Sequence, residues 1–154
     1  SLIRFAFSFL RDEERASDVA QEALSRLTPE HAPSGAVRPW LYKVTRNLAL
    51  DLLRRQQVSP TGGRRLRSGF DVAHDTAGPA TRVVAAERRE LVQQILQEMP
   101  EDYRSVLRLK HEDGMTRQEI AEVLDVSEVT VKGRLVRAAE YLREELRRAG
   151  GSFA

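Results

Sequence analysis

Apolar residues in this 154-residue chain return in blocks at helical spacing and nowhere alternate with polar ones, which predicts an all-α fold. Residues 2–10 (LIRFAFSFL) are nearly all apolar and read as the buried end of a helix. Residues 12–27 follow, with Asp12 as N-cap, acids in the first turn, and Val19, Ala20, Ala23, Leu24 and Leu27 at helical spacing. Thr28 to Pro39 is rich in proline and reads as a loop. Residues 40–57 predict a strong helix with Trp40, Leu41, Val44, Leu48 and Leu52 as its apolar stripe. Periodicity resumes over 83–99, where Leu91, Val92, Ile95, Leu96 and Met99 share a face. Pro100 stops that helix and starts another over 101–113, carrying Tyr103, Val106, Leu107 and Leu109, with Gly114 suited to the position just past its end. Two further helices are predicted over 117–124 and 128–148.

The stretch between these blocks has a different character. Residues 58–82 hold glycines, prolines and arginines but few large apolar side chains, too few to offset the entropy of ordering the chain. They are expected to form a flexible linker whose reach, at about 5–6 Å times the square root of the residue number, is tens of ångströms. The domain boundaries that follow are 1–57, linker 58–82, and 83–150: two small helical domains, each with a small core.

The sharpest local pattern is TRQEIAEVLDVSEVTVKGRLVRAA, residues 116–139. Thr116 and Glu119 have the spacing of a capping box. Ile120, Ala121 and Leu124 face inward, and Ala121 is small enough to let two helices approach closely. Asp125-Val126-Ser127 is the turn: Val126 plugs the core and Ser127 caps the next helix. Most such turns carry glycine where Asp125 stands, and aspartate tolerates the left-handed conformation better than most residues. Val131 and Leu135 anchor the second helix, leaving Glu128, Thr130, Lys132, Arg134 and Arg137 outside. This is a helix-turn-helix whose second helix fits the major groove. There Arg and Lys pair with guanine edges or phosphates, and Thr and Glu contact thymine methyls or cytosine amines. The C-terminal charges from Glu140 to Arg148 read as a solvated surface.

Charge and composition narrow the partners. The net charge is only +2, with nine basic and seven acidic side chains over 1–57 and twelve against fourteen over 87–154, so phosphate binding has to come from local faces. The absence of cysteine excludes disulfides and thiolate metal sites and fits a reducing, cytoplasmic setting. No apolar run is long enough to span a membrane and no signal-peptide pattern is present, so no membrane insertion is expected. His31, His74 and His111 are scattered, no paired ligand spacing occurs, and no glycine-rich phosphate loop follows a strand. Neither a catalytic centre, a metal site nor a cofactor is expected.

The order of these pieces resembles the extracytoplasmic-function group of the sigma-70 family over nearly the whole chain. DVAQE (18–22) is similar to the helix with which such proteins grip RNA polymerase. RPWLYKVTRNLALDLLRR (38–55) is similar to the promoter-melting and −10-reading helix, and residues 96–138 to the −35-reading region. The resemblance implies core RNA polymerase, promoter DNA and an anti-sigma factor as partners. It implies polymerase binding by Asp18, Gln21 and Glu22, and −10 contacts by Arg38, Trp40, Lys43, Arg46, Asn47, Arg54 and Arg55. The −35 set becomes Arg117, Ser127, Glu128, Thr130, Lys132, Arg134 and Arg137. Trp40 is either a stacking platform for a base or a core residue, and Asp51 reads as a structural partner. The resemblance also implies helical sequence ahead of Ser1. A free-standing helix-turn-helix regulator is the alternative. It accounts for residues 87–148 but leaves 18–22 and 38–55 without a use.

Overall fold

The computed structural model describes residues 2–31, 33–57 and 79–150, which form seven helices and no strand. They are α1 (Leu2–Leu10), α2 (Glu13–Ser25), α3 (Val37–Gln57), α4 (Pro79–Glu98), α5 (Glu101–His111), α6 (Arg117–Leu124) and α7 (Glu128–Arg148). By their contacts they fall into two units, one holding α1–α3 together with residues 118–127, the other α4, α5 and α7. The stretch read as a linker lies, over residues 58–78, outside the described residues, and α4 begins at Pro79, inside that stretch. Proline is tolerated at a first helical position because its missing N–H would have no intrahelical partner there. The same reason lets α3 begin at Val37, ahead of the expected start, with Pro39 inside its first turn.

In the first unit α1, α2 and α3 pack against one another in all three pairings. Asp12 caps α2: its side chain accepts from the Arg15 amide at 3.0 Å, and Glu13 and Glu14 complement the positive end of the helix. The buried face of α2 is Ala16, Val19, Ala20 and Ala23. Residues this small allow close backbone approach, and bulk comes instead from α1, where Phe5 meets Phe9 edge-on at 5.2 Å and Tyr42 of α3 at 4.9 Å. Two expectations change here. Leu24 and Leu27 are 51% and 37% exposed, since Leu24 sits at the edge of the stripe and Leu27 lies past the helix end. On α3 the buried positions are Pro39, Tyr42, Thr45 and Ala49, whereas Trp40, Leu41, Val44, Leu48 and Leu52 are only half-buried. Thr45 is accommodated because its hydroxyl donates to the Leu41 carbonyl at 2.8 Å.

In the second unit Leu96 of α4 and Met99, just past the end of α4, close on Ala138 of α7, with Val92, Tyr103, Leu107, Tyr141 and Leu142 around them. Pro100 separates α4 from α5 and its carbonyl accepts from the Tyr103 and Arg104 amides, both at 3.0 Å. After α5 the chain turns at Gly114, whose φ of 62° is readily adopted only without a Cβ, and the Met115 amide returns to the Leu109 carbonyl at 2.9 Å. Arg108 is buried and its Nε donates to the Glu112 carboxylate at 3.1 Å, which keeps the charge compensated.

The turn between α6 and α7 spans residues 125–127. Asp125 has φ 56°, the left-handed conformation expected at this position, and the Val126 amide donates to the Ala121 carbonyl at 3.1 Å. Asp125→Val is expected to lower stability by ~1–2 kcal/mol, because a β-branched residue is strained at positive φ, while Asp125→Gly stays within ~1 kcal/mol of the parent. Denaturant titration of the two variants checks this.

Candidate nucleic-acid interface

One face of α7 is turned inward and the opposite face is open. Val131 and Ala138 are fully buried, and Leu135, Tyr141 and Leu142 are half-buried on the same side. Of the expected −35 set, Ser127, Glu128, Thr130, Lys132 and Arg137 are exposed, as is Arg117 at the start of α6. Glu128 stands in the first turn of α7, where the helix N-terminus favours an acid. Arg134 departs from the expected outward position. Its guanidinium lies 3.0 Å from the Asp102 carboxylate of α5 and its side chain is 21% exposed. At 100° per residue it lies on the shoulder beside Val131 and Ala138, which directs it back onto its own unit.

The expected −10 residues separate along α3. Trp40, Lys43, Asn47 and Arg54 recur at three-, four- and seven-residue steps and form one row, with Trp40 and Lys43 half-buried and Asn47 and Arg54 exposed. Arg46, half-buried, lies nearer the packed side. Arg38 is exposed, with its guanidinium carbon 6.0 Å from the centroid of the buried Tyr42 ring. Arg55 leaves this row and lines a groove between α2 and α3.

That groove encloses about 360 Å³. Its apolar floor is Val19, Leu48 and Leu52, and its walls carry Asp18 and Glu22 from α2, Asp51 and Arg55 from α3, and Arg26. Asp18 and Glu22, two of the three residues expected to meet a polymerase, are therefore brought together with α3, while Gln21 is exposed on α2 outside the groove lining. Glu22 is bridged by Arg26 at 2.9 Å and Asp51 by Arg54 at 3.4 Å. Both are exposed pairs with little net effect on stability. The rim mixes three carboxylates with two arginines over an apolar floor, and its acidic side on α2, Asp18 and Glu22, suits a basic partner surface. The contributions of Leu48, Asp51 and Leu52 were not legible in the sequence, because their approach to Asp18 depends on how α2 packs on α3.

Among the described residues no group of three or more potential metal ligands occurs, and no helix is long and apolar enough to cross a membrane. Residues 1–58 match the family described as Sigma-70 region 2, and residues 89–142 match that described as Sigma-70, region 4. The probable RNA polymerase sigma factor RfaY of Xanthomonas campestris is 33% identical, over 97% of this chain and 38% of that protein. The chain thus spans well under half of that relative. The ECF RNA polymerase sigma factor SigW of Bacillus subtilis is 31% identical, over 95% of this chain and 83% of that protein. Among solved structures, the sigma factor RpoE in complex with the anti-sigma factor NepR from Bartonella quintana superposes with a TM-score of 0.65 at 20% identity, over 95% of this chain and 89% of that one. CnrH in complex with the cytosolic domain of CnrY gives 0.62 at 27% identity, over 96% of this chain and 80% of that one.

Proposed function

The chain belongs to the sigma-70 family of RNA polymerase sigma factors, in its extracytoplasmic-function group, and from this we propose that it binds core RNA polymerase and directs initiation at promoters read through a −10 and a −35 element. The observation that carries this is the open face of α7 behind a well-formed turn, with Lys132 and Arg137 exposed on it. In this reading residues 83–150 are the −35 module and insert α7 into the major groove. Residues 1–57 are the polymerase and −10 module. The α2–α3 groove takes a basic surface of the polymerase clamp, and the Trp40–Lys43–Asn47–Arg54 row holds the opened strand through phosphate contacts and base stacking. The segment between α3 and α4 tethers the two.

Each module is small and reads few bases. Joining two weak contacts raises the effective concentration of the second once the first has formed, and polymerase fixes their spacing. The protein acts by recognition and has no catalytic chemistry or cofactor of its own. It works in the cytoplasm, where its template is. The solved structure of RpoE holds an anti-sigma factor, which supports a partner of that kind here.

Run-off transcription with core polymerase and a promoter library tests the reading. The expected result is transcripts from members sharing two short elements at fixed spacing. No transcript above that of core polymerase alone contradicts it. Within this assay Lys132→Ala is expected to weaken use of all selected promoters about equally and to lower the salt dependence of promoter binding, as loss of a phosphate contact does. Arg134→Ala is expected to leave discrimination among −35 sequences unchanged and to cost at most ~1 kcal/mol of stability, since its partner is Asp102.

A further inference from the structure

Two residues on the open face of α7 are poorly explained by folding. Val129 is 80% exposed, more than any other large apolar side chain described. Its β-branch also disfavours a helix, so neither burial nor propensity accounts for it. Gly133 stands inside the same helix, in its second turn, where glycine is destabilising relative to alanine. Its φ is not in the positive range, and a Cβ built on it meets no atom within 4 Å. Neither backbone conformation nor a neighbouring side chain requires the glycine.

These two residues and Val136, which is 50% exposed, are spaced four and three apart and lie on one line along the helix. The line is opposite the buried Val131 and Ala138. Lys132 and Arg137, both exposed, flank it on either side. The result is a narrow apolar strip with a missing side chain at its centre and a cation at each margin.

Building on the promoter reading above, we infer that Val129, Gly133 and Val136 form a thymine-reading strip. The valines contact the 5-methyl groups of thymines on the major-groove floor, Gly133 lets the base edges come close, and Lys132 and Arg137 hold the phosphates that set the depth. The margins argue for DNA as the occupant: an apolar protein partner has no use for cations framing so narrow a strip, whereas a groove floor lies between two phosphate backbones. Thymine is the base that presents an apolar group there.

The test uses holoenzyme assembled from the full chain and core polymerase, on a promoter selected from the library. Deoxyuridine replaces thymidine in the −35 element, which removes the methyl groups and nothing else. Promoter affinity of the parent is expected to fall about fourfold for each thymine methyl removed from beneath a valine. The Val129→Ala/Val136→Ala variant is expected to bind the thymidine template more weakly and to show no further loss on deoxyuridine. Gly133→Ala is expected to melt no lower than the parent and yet bind the promoter severalfold more weakly. The strip is overturned if the parent ignores deoxyuridine, if the double variant remains as sensitive as the parent, or if Gly133→Ala binds normally. It is equally overturned if the selected −35 element lacks A·T pairs. Failure to select any promoter instead overturns the sigma-factor reading on which the strip rests.

Discussion

Replacing Met99 with alanine is expected to lower the stability of the unit formed by α4, α5 and α7 by ~2–5 kcal/mol. Met99 is 1% exposed and lies with Leu96 against Ala138, which seats α7 on α4. Truncation removes its transfer free energy and leaves a cavity that Tyr103 and Tyr141, themselves only half-buried, fill in part. In a domain whose whole stability is ~5–15 kcal/mol, and whose core is small, this is a large fraction. Denaturant titration should show a lower midpoint with an unchanged slope, and promoter-dependent transcription should fail at a lower temperature than for the parent. A loss under ~1 kcal/mol would mean that α7 is held elsewhere.

The second large effect is expected at the α2–α3 groove. Reversing Asp18 and Glu22 to arginine is expected to weaken binding to core polymerase by at least ~10-fold, because like charges facing each other across an interface cost several kcal/mol. Both side chains are exposed, the Asp12 cap is untouched, and the Glu22–Arg26 pair removed with them is a surface pair. The variant should therefore fold as the parent does. Titration of labelled core polymerase reads the effect directly, and equal affinity for parent and variant would remove the groove from the interface.

The elements themselves are legible in the sequence because their signals are local. Caps, prolines and helical spacing point to all seven helices, and Asp125 adopts the left-handed turn that its position in the motif implies. Which face of a helix is buried is less legible where packing is tight. On α3 the large residues Trp40, Leu41, Val44, Leu48 and Leu52 make the more conspicuous stripe. The structure instead buries Tyr42, Thr45 and Ala49: the small Thr45 and Ala49 let the neighbouring helices come close, Tyr42 meets Phe5 of α1, and the remaining large residues are left on the shoulders. Arg134 defeats the pattern for a different reason. Its partner Asp102 is distant in the sequence, and an arginine on a recognition helix looks the same whether it points to DNA or to α5. Val129 and Gly133 carry no signal of their own, since sequence patterns direct attention to charged residues. Their interest emerges only once exposure and open space are known.

The decisive measurement is the affinity of the chain for promoter duplex with and without core polymerase, at fixed salt because phosphate contacts make binding salt-dependent. A sigma factor built from two small modules should bind weakly and with little selectivity alone, and tightly and sequence-selectively in the complex. Nanomolar affinity for a duplex by the chain alone, unchanged by added polymerase, would contradict this and would make the protein a free-standing helix-turn-helix regulator.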